Sequence, residues 1–189
     1  MSRGKKIFSK ITCLLLVALF LFPSSAFADM TSQYEAYQLR ETVMQYVTIT
    51  QDMIITFDEA EAVANGESEM VIEVGNKLVE IADSYYLYNN GMTTYMPNFP
   101  IYGNYCGPGT PSYNGRPVDH LDAACQAHDD CYATNGYWDC NCDEKLIADV
   151  NDLMDDLTGT AYIAGNAIIA FFEARILFKF SASCEVAAK

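Results

Sequence analysis

The chain has 189 residues, 25 of them acidic and 11 basic, which gives a formal charge of −14 and an isoelectric point near 4.3. Charge of that sign excludes nucleic acid as a partner and works against adsorption to an anionic membrane surface. Hydrophobic residues make up 51% of the chain, enough for one domain with a modest core.

Met1 to Ala28 reads as a secretory signal. Arg3, Lys5, Lys6 and Lys10 precede the apolar run Ile11 to Phe22, and Ala26-Phe27-Ala28 fits an A-x-A cleavage site. Cys13 lies inside the apolar run and leaves with it. The remainder, Asp29 to Lys189, keeps all 25 acidic residues but only seven of the eleven basic ones, so its formal charge is −18. Such acidity serves the solubility of an exported protein at least as well as any specific function. Interfacial binding, if it occurs, then rests on apolar and aromatic contacts or on bridging Ca2+.

The segment from Asp29 to Tyr95 is predicted to be helical. Tyr37 to Phe57 and Ser68 to Tyr88 each carry helical spacing, as in Val71, Val74, Leu78 and Ile81, with Asn65-Gly66 as the turn between them. An antiparallel helical pair follows. Prosegment, lid, binding surface and additional core are the roles the sequence leaves open for it.

Residues 96–189 form the second unit. Tyr95 to Pro117 is rich in Pro, Gly, Asn and Tyr, a composition for loops. Within it Tyr105-Cys106-Gly107-Pro108-Gly109-Thr110 bends tightly and leaves its carbonyls outside any ladder, so they can be aimed at a hard cation. Ca2+ takes six to eight oxygens of that kind, with carboxylates among them. Asp122 to Tyr132, DAACQAHDDCY, is predicted to be a helix because Ala123, Ala124 and Ala127 are strong helix formers and Asp122 can cap the first turn. Cys125, His128, Asp129 and Tyr132 share one side at i, i+3, i+4 and i+7, with Cys131 at its edge. A lone His-Asp pair on a helix is more often structural than functional; a carboxylate such as Asp129 would complete the oxygen set of the upstream loop.

A second helix is expected from Asp143 to Leu157, with Leu146, Ile147, Val150, Leu153 and Met154 on its apolar side and a break at Thr158-Gly159-Thr160. The apolar run Ala161 to Phe180 is too short to span a bilayer before Glu173, Arg175 and Lys179 intervene, and it reads as a core helix. Phe171, Phe172, Leu177 and Phe178 are what a membrane-lying helix would use instead. Six cysteines remain after the signal: Cys106, Cys125, Cys131, Cys140, Cys142 and Cys184. An even count in an exported chain implies disulfides, in one of fifteen pairings. A zinc site of Cys140, Cys142 and His128 is the poorer reading, since CxC lacks the usual two-residue gap.

Tyr105 to Gly109 (YCGPG), DAACQAHDDCY and Cys142-Asp143 together resemble the secreted phospholipases A2. The resemblance covers roughly forty residues. It implies a mostly α fold: a disulfide-linked antiparallel pair of catalytic helices with an upstream calcium loop, to which this chain adds an N-terminal helical segment and a C-terminal apolar helix. It implies His128 as catalytic base, Asp143 as the carboxylate that orients it, Tyr132 as hydrogen-bond donor to that carboxylate, and the Gly107 amide as an oxyanion donor. Ca2+ is the implied cofactor, held by Asp129 and the carbonyls of Tyr105, Gly107 and Gly109. The implied disulfides are Cys106 with Cys125 and Cys131 with Cys142, leaving Cys140 for Cys184. The implied activity is hydrolysis of the sn-2 ester of a phospholipid by an exported enzyme. Asp149 competes with Asp143, because helix register is not readable from sequence; Asp139 and Asp130 are expected in solvent. Two departures mark a compact, divergent branch: Ala124 stands where larger members carry a second cysteine, and only ten residues separate Cys131 from Cys142. The alternative function is a non-catalytic secreted module on the same scaffold, acting through membrane or protein contacts.

Overall fold

The computed structural model describes residues 24–91, 100–109 and 115–178, with side chains in the first helix from residue 33 onward. Residues 1–23 and Cys184 lie outside that range, and so do the predicted signal's apolar run and the Cys140–Cys184 pairing. Six helices and one hairpin follow in order: α1 Ser24–Met44, β1 Val47–Ile49, β2 Ile55–Phe57, α2 Glu59–Ala64, α3 Glu69–Asn89, α4 His120–Asn135, α5 Cys140–Leu153 and α6 Gly159–Leu177. The described chain is thus mostly α. α1 runs without a break through the Ala26-Phe27-Ala28 cleavage motif.

α3 forms where the apolar spacing puts it. Ser68 caps it, its hydroxyl accepting from the Val71 amide at 3.3 Å, and Val71, Val74, Leu78, Ile81 and Tyr85 are buried along one stripe. That stripe packs against α6, which is apolar all round, as a helix surrounded by protein is. Ile169 and Phe171 of α6 meet Leu78 and Ile81 of α3, Val43 of α1 and Val150 of α5 in one core. α6 starts at Gly159, with Thr158 as its N-cap residue, so the break after α5 covers 154–158 rather than 158–160. The earlier start makes it long and apolar enough to cross a membrane by length and composition, contrary to the expectation from the run alone, yet 61% of that window is buried inside the fold.

The predicted helix Tyr37 to Phe57 is wrong beyond Met44. β1 and β2 pair antiparallel there, Val47 opposite Phe57 and Ile49 opposite Ile55. Val47-Thr48-Ile49 and Ile55-Thr56-Phe57 alternate β-branched or aromatic residues with threonines that face solvent, a period of two that suits a strand. Phe57 of this hairpin lies against α3 where Gly75 has no side chain; a Cβ there would come within 2.5 Å of the ring.

The starts of two helices also differ from expectation. The cap of α4 is Asp119, whose carboxylate accepts from the Asp122 amide at 2.9 Å, so Asp122 is not the cap. α5 begins three residues before Asp143, because Asp139 caps it by accepting from the Asn141 and Cys142 amides at 3.0 and 3.2 Å; Asp139 is therefore engaged rather than solvated. α5 ends at Leu153, short of Leu157.

Candidate active site

Two disulfides fix the site's parts. Cys106–Cys125 ties the YCGPG loop to α4, and Cys131–Cys142 ties α4 to α5, with Cα–Cα separations of 5.0 and 5.7 Å. Cys140 is disulfide-bonded as well. With Cys142 and Cys140 both oxidised, the zinc arrangement is excluded.

The loop is held from below by a side chain that sequence reasoning gave another role. Asp122 is fully buried, and its carboxylate accepts from the main-chain amides of Asn104 at 3.0 Å, Tyr105 at 2.8 Å and Val118 at 2.9 Å. Three amides on one carboxylate compensate its burial and fix the start of the loop. Gly103 passes over this carboxylate with φ +57°, and a Cβ there would fall 2.3 Å from Asp122 Cγ. Nothing in the sequence distinguishes that use of Asp122 from a helix cap.

His128 faces Asp143 across the helix pair. Its Nε2 lies 3.0 Å from Asp143 Oδ1, and both side chains are buried. Because a carboxylate only accepts, Nε2 carries the proton and Nδ1 the lone pair. The Tyr132 hydroxyl donates to the same Oδ1. Burial, and then the adjacent Asp143 charge, pushes the Tyr132 phenol well above the ordinary tyrosine range, so it remains a donor. The imidazole packs on Tyr132 one turn on, ring centroids 4.1 Å apart, and meets Phe172 of α6 edge-on at 5.0 Å. Asp149, the competitor for this place, pairs with Lys145 at the surface.

Asp143 has a further partner. Arg175 of α6, only 2% exposed, directs its Nε to Asp143 Oδ2 at 3.1 Å and its Nη2 to the same oxygen. Sequence reasoning saw Arg175 only as an interruption of an apolar run. A single cation three residues after Phe172 on a helix otherwise without charge at its buried positions is the signal that could have found it.

His128, Asp129, Tyr105 and Gly107 line one cavity of ≈ 20 Å³, closed from the other side by Ile81 and Tyr85 of α3 and Phe172 of α6. That is room for about one water. Gly109 does not line it: at φ +72° it abuts Tyr88, whose ring would be 2.7 Å from an added Cβ. Among the described residues no three His, Cys, Asp or Glu side chains cluster as a metal site. A cation here would therefore rest on Asp129 and main-chain oxygens, an all-oxygen set with one anion that fits a hard dication. A larger cavity of ≈ 460 Å³ opens between the hairpin tip and α3; it reaches Tyr85, Trp138 and Arg175 but none of the predicted site residues.

Comparison with known proteins bears on this arrangement. Residues 97–174, which contain the loop, both helices and most of α6, match a family model described as a phospholipase A2-like domain. Over that stretch the chain is related to the phospholipases A2. Around its motif it is 54% identical over 35 residues to the acidic phospholipase A2 homolog taipoxin gamma chain of Oxyuranus scutellatus scutellatus, a match covering 18% of this chain and 21% of that one. It is 51% identical over 39 residues to acidic phospholipase A2 6 of Naja sagittifera, covering 21% and 28% respectively. The chain thus spans less than a third of the length of these relatives. No solved structure matches. α1 to α3 lie outside the matched phospholipase A2-like residues, although α3 supplies Ile81 and Tyr85 to the cavity wall.

Proposed function

We propose that this protein is an exported, calcium-dependent phospholipase A2 that hydrolyses the sn-2 ester of glycerophospholipids. The observation that carries the reading is the buried His128–Asp143 pair, 3.0 Å apart, whose histidine lines a cavity together with Asp129 and Gly107. With Nε2–H held by Asp143, Nδ1 is the base: it takes a proton from water as the water oxygen attacks the ester carbonyl carbon. Asp143 offsets the charge of the imidazolium that forms, and the Tyr132 hydroxyl donates to the same carboxylate oxygen. When the C–O bond breaks, Nδ1 returns the proton to the departing glycerol oxygen, which leaves lysophospholipid and fatty acid. Asp129, with the carbonyls of Tyr105 and Gly107, is the set that would hold Ca2+; Gly109 belongs to it by motif alone. Calcium, when bound, supplies positive charge for the ester oxyanion and the substrate phosphate. The Gly107 amide is the candidate for a second oxyanion donor.

A cavity with room for about one water does not admit an acyl ester as it stands. That favours, as second reading, a module that binds without hydrolysis. The test is calorimetric calcium titration beside hydrolysis of mixed phospholipid vesicles, on wild type, His128→Gln and Asp129→Asn. His128→Gln is expected to lose about a hundredfold to ten-thousandfold of activity with calcium affinity kept. Asp129→Asn is expected to lose both, since it removes the only anion of the set. Wild type that binds calcium and hydrolyses no phospholipid would select the binding module.

A further inference from the structure

We propose that Arg175 is a positioning residue for this site: by clamping Asp143 Oδ2 it fixes the carboxylate whose other oxygen orients His128. The inference rests on the hydrolase reading for its kinetic consequence and on geometry alone for its structural one. Asp143 is fully buried and its two oxygens are divided between two tasks. Oδ1 receives His128 Nε2 and the Tyr132 hydroxyl, and Oδ2 receives both Nε and Nη2 of Arg175. Two donors of one planar guanidinium on a single oxygen define a direction, which a hydroxyl on the other oxygen does not, so rotation of the carboxylate about its Cβ–Cγ bond is blocked. The guanidinium also compensates a negative charge that would otherwise be buried with only neutral donors.

The clamp is itself held. Arg175 Nη2 donates to the Trp138 carbonyl at 3.3 Å, and the guanidinium lies over the Trp138 ring, 4.1 Å from its centroid. Trp138 sits in the short link between α4 and α5 with φ +71°, a conformation that bulky residues rarely adopt. The carbonyl and ring contacts to Arg175 are what that conformation provides here. On α6, Phe172 and Arg175 are three positions apart and so share a face: one packs the imidazole, the other aims its partner. The phospholipase A2-like match ends at residue 174, one position before this arginine.

The experiment compares wild type with Arg175→Met, Arg175→Lys, Asp143→Asn and the double variant Asp143→Asn/Arg175→Met, scoring kcat, KM, calcium affinity, thermal midpoint and the low-field proton resonance of His128 Nε2–H. Arg175→Met is expected to lower kcat about ten- to a hundredfold, as loss of partners that orient a ring does, with KM and calcium affinity unchanged and the low-field resonance lost. Arg175→Lys, which returns the charge and one donor, is expected to recover part of kcat and the resonance. The double variant should be no slower than Asp143→Asn alone, because Arg175 acts through that carboxylate. If Arg175→Met does not fold, the double variant, which buries no unpaired charge, and Arg175→Lys still decide. Wild-type kcat in Arg175→Met, or a further tenfold loss in the double variant, would overturn the proposal. If wild type hydrolyses nothing, the hydrolase reading fails, and the resonance alone decides: its dependence on Arg175 supports the positioning role and its persistence in Arg175→Met refutes it.

Discussion

Asp122 shows how much one side chain can hold. Its carboxylate takes three main-chain amides from the two ends of the loop region, at residues 104, 105 and 118. Asp122→Ala leaves those amides without their acceptor, the Tyr105 bond being buried and those of Asn104 and Val118 only partly so; a buried unsatisfied donor costs about 1–3 kcal/mol, so the variant should lose an amount of that order in denaturant unfolding. Asp122→Asn, which keeps one acceptor oxygen, should lose less; equal losses in the two variants would contradict this account. A neighbouring contact gives a pH effect. Tyr102 donates to Asp119, and that hydrogen bond, with burial second, pushes its phenol up to about 12. A group whose value is raised by folding contributes stability that is full below its ordinary value, about 10 for tyrosine, and lost as pH rises through the raised one. The unfolding midpoint should therefore fall between about pH 10 and pH 12, by a small amount because the pair is partly solvated. Tyr102→Phe should lack that alkaline step.

At the scale of elements, the α4–α5 pair depends on Cys131–Cys142, a bridge closing a separation of 11 residues. Cys131→Ala should cost about 3 kcal/mol by the entropy of the opened loop. It should also lower activity, because His128 and Asp143 sit on opposite members of the pair; a variant with full stability and activity would show that packing alone sets the spacing. This pair was legible in the sequence because its signals are local: cysteine spacing, the His-Asp pair one turn apart from Tyr132, and a break before Cys140. α3 was legible by its apolar stripe. The hairpin was not, since Val43, Val47 and Tyr46 mimic a helical stripe until the alternation of Val47 to Phe57 is weighed against it. Nor was Asp122 under the loop or Arg175 against Asp143, the latter 32 residues apart and meeting only because α6 packs across α5. Side chains that serve a tertiary contact leave no periodic mark. The sequence reading placed each of them by its neighbours in the chain, and the fold used each for a neighbour in space.

On the scale of the whole molecule, α3 belongs to the core of the phospholipase A2-like half. Val74, Leu78 and Ile81 are buried, and Tyr85 stacks on Phe171 of α6 at 4.9 Å. A chain of residues 96–189 alone should therefore fail to unfold cooperatively in a thermal melt followed by circular dichroism, because removing α3 uncovers the apolar face of α6. A sharp two-state melt from that fragment would assign the N-terminal half a dispensable role. The same α3–α6 packing sets a timetable for biosynthesis. α3 ends at Asn89 and its partner α6 at Leu177, 88 residues later. At about 5–20 residues per second, the apolar stripe of α3 waits roughly 4 to 18 seconds for the helix that covers it. During that interval the stripe has no mate, so the nascent chain is at its most aggregation-prone before α6 has been made.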